Sequence, residues 1–81
     1  MKVVDLNLPL YAVNADAPRH ARARAWWEDA LSGDETVGLA WTVLLGFLRL
    51  STRPGLFPRP LSVQEALDLA EEWIRCPVVV I

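Results

Sequence analysis

The sequence predicts an α/β fold: a parallel sheet flanked by helices. Two observations point there. Short apolar runs of strand character alternate with longer segments of helical period, the order expected of βα units. A lone carboxylate, Asp5, ends the first of those runs, where an open parallel sheet places its ligand sites. The chain is 53% hydrophobic with four tryptophans in 81 residues, a composition suited to a larger core than so short a chain usually buries.

Met1 to Asp5 reads as the first strand. Leu8 to Val13 follows as a short helix entered through Pro9, a residue tolerated in a first helical turn. Asn14 to Pro18 is a polar turn, with Asp16 placed to cap the next helix. His20 to Leu31 is that helix. Ala23, Trp26, Trp27, Ala30 and Leu31 fall on one stripe, with His20, Arg22, Arg24, Glu28 and Asp29 off it. Gly33 is a fitting stop.

Val37 to Ala40 makes a second short strand. Thr42 to Ser51 is apolar nearly all round, as expected of a buried central helix. Arg53 to Pro60 holds three prolines and a glycine and reads as loop. Ser62-Val63-Gln64-Glu65 is a capping box. It opens a helix that should bury Val63, Ala66, Leu67, Ala70, Trp73 and Ile74. Pro77 ends that helix, and Val78 to Ile81 is a third strand by its β-branched character. On this reading the sheet is truncated after the third strand, and residues 1–81 form a single, incomplete domain.

Composition bounds the function classes. A chain of this length buries roughly 60–65% of its unfolded surface, so surplus apolar surface points to a longer chain or to a partner. A net charge of −2 gives no broad basic footprint for nucleic acid, although a cleft can be locally basic. The single cysteine, Cys76, excludes an internal disulfide and fits a reducing compartment. Val37 to Leu48 is uncharged, but a dozen residues is too short for a bilayer span. A cytoplasmic protein without membrane contact is the expectation.

Candidate site residues follow from position. Asp5 suits either a metal-binding carboxylate or a helix cap. Asn7 could cap or orient that carboxylate. Thr42, at the carboxyl end of the second strand, could touch a phosphate or cap the next helix, and the cap is the preferred reading. His20 reads as a helix-start residue. Arg19, Arg22 and Arg24 read as a solvated face. The tryptophans read as core or interface rather than as a base-stacking platform.

Taken in order, four segments resemble a PIN domain of the VapC family, the ribonucleases of type II toxin–antitoxin systems. They are Val4-Asp5-Leu6-Asn7-Leu8-Pro9-Leu10-Tyr11-Ala12; His20 with Ala21, Ala23, Trp26 and Trp27; Val37 through Leu50; and Pro58, Pro60-Leu61-Ser62 and Glu65-Ala66. The resemblance covers essentially the whole chain. It implies Mg²⁺- or Mn²⁺-dependent RNA hydrolysis with Asp5 as the first catalytic and metal-binding acid, and Asn7 and Thr42 as orienting residues. It also implies a VapB-like antitoxin as partner, or a second PIN protomer in a homodimer, with Trp26 and Trp27 as interface anchors.

Two departures bear on catalysis. Gly46 stands where the family carries its second acid, and the family's later aspartates have no counterpart here. Asp34 and Glu35 precede the second strand, at the edge of the sheet opposite Asp5, and do not replace them. Two expectations therefore stand side by side: a ribonuclease of which this chain holds only one acid, or a non-catalytic relict that binds an antitoxin or another protomer.

Overall fold

The computed structural model describes all residues from Met1 to Ile81. Its elements run β1 (Lys2–Val3), α1 (Asn7–Val13), α2 (His20–Ser32), β2 (Val37–Gly38), α3 (Trp41–Ser51), α4 (Val63–Ile74) and β3 (Val79–Val80). The alternation read from the sequence is the alternation observed. The three strands form a parallel sheet in the order β1-β2-β3, with Lys2 opposite Val37 and Val37 opposite Val79.

The strands are shorter than expected, but the ladder reaches beyond them. The Val4 amide donates to the Gly38 carbonyl at 3.1 Å, and the Leu39 amide to that of Val80 at 2.8 Å. Val37 on the central strand and Leu39 just past it are among the most deeply buried side chains, whereas the row on the other face is open, with Val3 76% and Val80 47% exposed on either side of Gly38, so the helices cover one face of the sheet.

The core joins the sheet to one stripe of each helix. Ala23, Trp27 and Ala30 from α2, Leu44 and Phe47 from α3, and Ala66, Ala70 and Trp73 from α4 are all buried. Trp73 is the hub. Its ring meets Trp27 edge-on at 5.2 Å and Phe47 at 4.7 Å with a 62° interplanar angle. Edge-to-face pairs of this kind contribute about 0.5–1.5 kcal/mol each beyond area burial.

The buried stripes are narrower than the sequence pattern predicts. Of α3, read as buried all round, only Leu44, Phe47 and Ser51 are buried, while Trp41 and Leu45 are each 60% exposed. Its opposite face has no layer packed over it. On α4 the seam runs through Ala66, Ala70 and Trp73, leaving Val63, Leu67 and Ile74 exposed. Small alanines let α4 approach closely, and the larger apolar residues flank the contact.

Local signals fare unevenly. The capping box forms in full: the Glu65 amide donates to Ser62 Oγ at 3.0 Å and the Ser62 amide to Glu65 Oε1 at 2.9 Å. The expected cap by Asp16 does not form. Arg19 occupies the N-cap position of α2 without a side-chain bond, and the Asp16 amide instead donates to Asn14 Oδ1 at 3.1 Å, closing the turn locally. In the proline loop Gly55 takes φ +118°, a backbone conformation that side chains rarely adopt.

Candidate functional site

Asp5 follows directly on the carboxyl end of β1, where Val4 makes the last ladder bond. The chain turns at once into α1, and the way it turns decides what the carboxylate is free to do. Leu6, at the N-cap position, is already helical (φ −55°, ψ −36°) and no side chain caps the helix. The first turn closes through the main chain, with the Leu8 amide donating to the Asp5 carbonyl at 3.1 Å. The capping alternative for Asp5 is therefore not the one adopted. The residue is exposed, and its carboxylate enters no ion pair.

The preferred reading of Thr42 as a cap is also corrected. Ala40 holds the N-cap position of α3 in an extended conformation, and its carbonyl accepts from the Val43 and Leu44 amides at 3.0 and 3.1 Å. Thr42 lies inside the first turn, two residues past the cap, and is exposed. Asn7 is the first residue of α1 and is exposed beside Asp5.

Packing of α1 against α2 opens a groove of about 510 Å³ at the carboxyl edge of β1, lined by Asp5, Asn7, Tyr11, Arg19, Arg22 and Trp26 among others. Two of the three arginines expected on a solvated face therefore line the same groove as Asp5, without pairing with it. The overlooked signal was spacing: positions 19 and 22 share a helix face by the i,i+3 rule. Arg24 points elsewhere and pairs with Glu28 at 3.0 Å. His20 Nδ1 lies 3.0 Å from the Tyr11 carbonyl oxygen. A carbonyl can only accept, so this nitrogen carries the proton and ties the start of α2 to α1.

The two interface candidates face different ways. Trp26 is 41% exposed in the groove, with Lys2 Nζ 5.4 Å from its ring centroid, a cation–π contact. Trp27 is 4% exposed and packs inward on Trp73. It also lines a second cavity of about 410 Å³ between α1, α2 and α4, and its indole Nε1 is buried without a hydrogen-bond partner.

The donor set beside Asp5 does not by itself suit a divalent ion. No group of three or more histidine, cysteine, aspartate or glutamate side chains comes together anywhere in the chain. Hard cations take six or more oxygens, commonly from several carboxylates and waters. Asp5 and the Asn7 amide oxygen share their groove with two guanidinium groups, which repel a dication. Position 46, one turn into α3, carries no side chain, and a Cβ built there would meet Leu6 Cδ2 at 2.9 Å. Leu6 thus fills the space beside the sheet edge that an acid at 46 would enter. At the far edge, Glu35 pairs with the Met1 amine at 3.2 Å, on the side of the sheet where its position before β2 predicts it.

The chain is 46% identical over 81 residues to Ribonuclease VapC37 of Mycobacterium tuberculosis, a match covering 100% of this chain and 56% of that protein. It is 40% identical over 79 residues to Ribonuclease VapC33 of the same species, covering 98% and 55%. It is 36% identical over 77 residues to VapC ribonuclease Mb2897 of Mycobacterium bovis, covering 95% and 52%. The chain spans about half the length of the curated relatives it matches. No protein-family model matches it. No helix is long and apolar enough to cross a membrane.

Proposed function

We propose that this chain, 46% and 40% identical to two VapC ribonucleases over about half of their length, supplies the first acid and the substrate groove of an RNA-cleaving centre completed by acids beyond these 81 residues. The observation that carries the reading is Asp5. It is an exposed carboxylate without an ion-pair partner, directly past β1, in a chain nearly half identical to a ribonuclease. A capping role would have given it a partner in the first turn of α1; it has none there.

The roles follow from chemistry. Hydrolysis of a phosphodiester needs an activated water and neutralisation of the charge that builds on phosphorus, which Mg²⁺ or Mn²⁺ supplies in this class of reaction. With one carboxylate present the ion is not fixed, so these residues alone are not expected to cleave RNA. Asp5 would be one of several ligands, Asn7 would hold its orientation, and Arg19 and Arg22 would attract the substrate backbone. The proposed partner is a VapB-like antitoxin segment. The cavity between α1, α2 and α4 supports that part of the reading, because most of its lining is apolar. The setting is cytoplasmic.

The test joins the chain to the portion of Ribonuclease VapC37 that it does not cover and measures cleavage of single-stranded RNA. Mg²⁺-dependent cleavage is expected, abolished by chelator and reduced at least a hundred-fold in Asp5→Asn; the chain alone should be inert. Unchanged cleavage by the Asp5→Asn protein would remove Asp5 from the reaction.

A second reading, a binding module without chemistry of its own, is favoured by the lack of any three-ligand cluster. It gains if the joined protein captures a VapB-like antitoxin but cleaves nothing at any metal concentration.

A further inference from the structure

The groove beside Asp5 carries charge and an aromatic face that the cleavage reaction does not require. Three cations surround it. Arg19 and Arg22 line it, and Lys2 stands over the ring of Trp26 at 5.4 Å. None of the three lies within ion-pair distance of a carboxylate; Arg24 and Arg75 elsewhere are paired, while Arg49, Arg53 and Arg59 are not, so what marks the groove is the gathering of unpaired cations around one exposed ring. The chain as a whole bears a charge of −2, so this is a local reversal of sign.

Trp26 contrasts with Trp27 and Trp73, which are 4% exposed and interlocked in the core. A tryptophan 41% exposed in a cationic groove exposes apolar ring surface that packing would normally remove. It sits one helical turn from Arg22 on the same face of α2.

We propose that this groove is a nucleotide subsite for single-stranded RNA: Trp26 stacks on one base through the ring face opposite its Lys2 cation–π contact, and Arg19 and Arg22 grip the adjoining phosphates. The inference rests on the RNA reading above. It adds the residues that position the strand next to Asp5. A strand held by one stacked base and two phosphate contacts is anchored on the α2 side of the scissile position, with little dependence on base identity. Aromatic stacking is tolerant of sequence because every base has a π-face. Duplex RNA presents no free base face to Trp26 and is excluded from the stacking contact.

Binding measured without metal separates this proposal from the cleavage reading. The full chain is titrated against a fluorescein-labelled oligouridylate, followed by anisotropy, with an abasic strand of equal length as the comparison. Trp26→Ala is expected to weaken oligouridylate binding about ten-fold, from the usual cost of losing one stacked base, and to leave the abasic strand unchanged. Trp26→Phe should recover most of the affinity. Arg22→Ala should weaken both strands and lower the log–log salt slope by about one. Arg24→Ala, on the other face, should do neither.

Equal loss on both strands in Trp26→Ala, or full affinity in both Trp26→Ala and Trp26→Phe, overturns the stacking subsite. So does displacement of the RNA by polyglutamate at matched charge, which would mark the groove as a site for acidic peptide. Base-dependent binding without cleavage in the joined protein would keep the subsite and remove the nuclease. Asp5-dependent cleavage with binding indifferent to Trp26 would do the reverse.

Discussion

Trp27 and Trp26 are neighbours in sequence and opposites in surroundings, and the two regions they belong to are held together differently. The Trp27 side is a closed aromatic hub of Trp27, Trp73 and Phe47, backed by a fully formed capping box on α4. The Trp26 side is a groove with unpaired Arg19, Arg22 and Asp5. Stability resides in the first region, where the aromatic rings pack edge to face on one another. The second leaves attractive and repulsive charges facing solvent, which adds little to folding and leaves those groups available to a ligand. Exposed charges contribute at most fractions of a kcal/mol.

Substitutions should separate the two regions cleanly. Trp73→Ala removes the hub of the cluster and is expected to destabilise by about 3–5 kcal/mol, measured by urea denaturation. For so small a domain that is enough to leave the chain largely unfolded. A loss below about 1 kcal/mol would mean that the hub does not hold the helices together.

Ser62→Ala should cost about 1 kcal/mol, the usual value of a lost N-cap. Glu65 adds a pH dependence. Accepting the Ser62 amide, and then the Ser62 side-chain contact, hold its carboxyl below the ordinary glutamate range. A depressed folded-state value means that the contribution is complete above the unfolded value and disappears as pH falls through the folded one. The wild-type chain should therefore lose this increment in the acid range below ordinary glutamate titration, and Ser62→Ala should show a weaker acid dependence there. Equal acid slopes in the two proteins would exclude the box as the source.

The smallest effect on stability should come from the groove. Asp5→Asn removes a charge without a partner and is expected to change stability by less than about 0.5 kcal/mol. By easing repulsion with phosphate it should also leave RNA binding equal or tighter. A large destabilisation would assign Asp5 to the fold after all.

Much of this division was legible in the sequence. The order of elements, the capping box and the position of Asp5 past the first strand all follow from local pattern. The width of the buried stripes did not, because periodicity reports which residues could face inward and not how many find a neighbour. Leu45, Leu67 and Ile74 belong to apolar faces yet remain exposed, since closely approaching alanines decide where α4 meets the core. The expected caps of α2 by Asp16 and of α3 by Thr42 do not form because a helix can close its first turn through main-chain carbonyls alone, as those of Arg19 and Ala40 do. That Arg19 and Arg22 share a groove with Asp5 depends on the packing of α1 against α2. Only their i,i+3 spacing was on the surface of the sequence.

The contact between Leu6 and Gly46 ties together two positions forty residues apart. A methyl group at 46 would meet Leu6 Cδ2 at 2.9 Å, so position 46 grows only if the end of the Leu6 side chain gives way. Among homologous chains they should drift as a couple, a larger residue at 46 accompanied by a smaller one at 6. An engineer who introduced a carboxylate at 46 would therefore displace the end of the Leu6 side chain, and would be reshaping the corner next to Asp5.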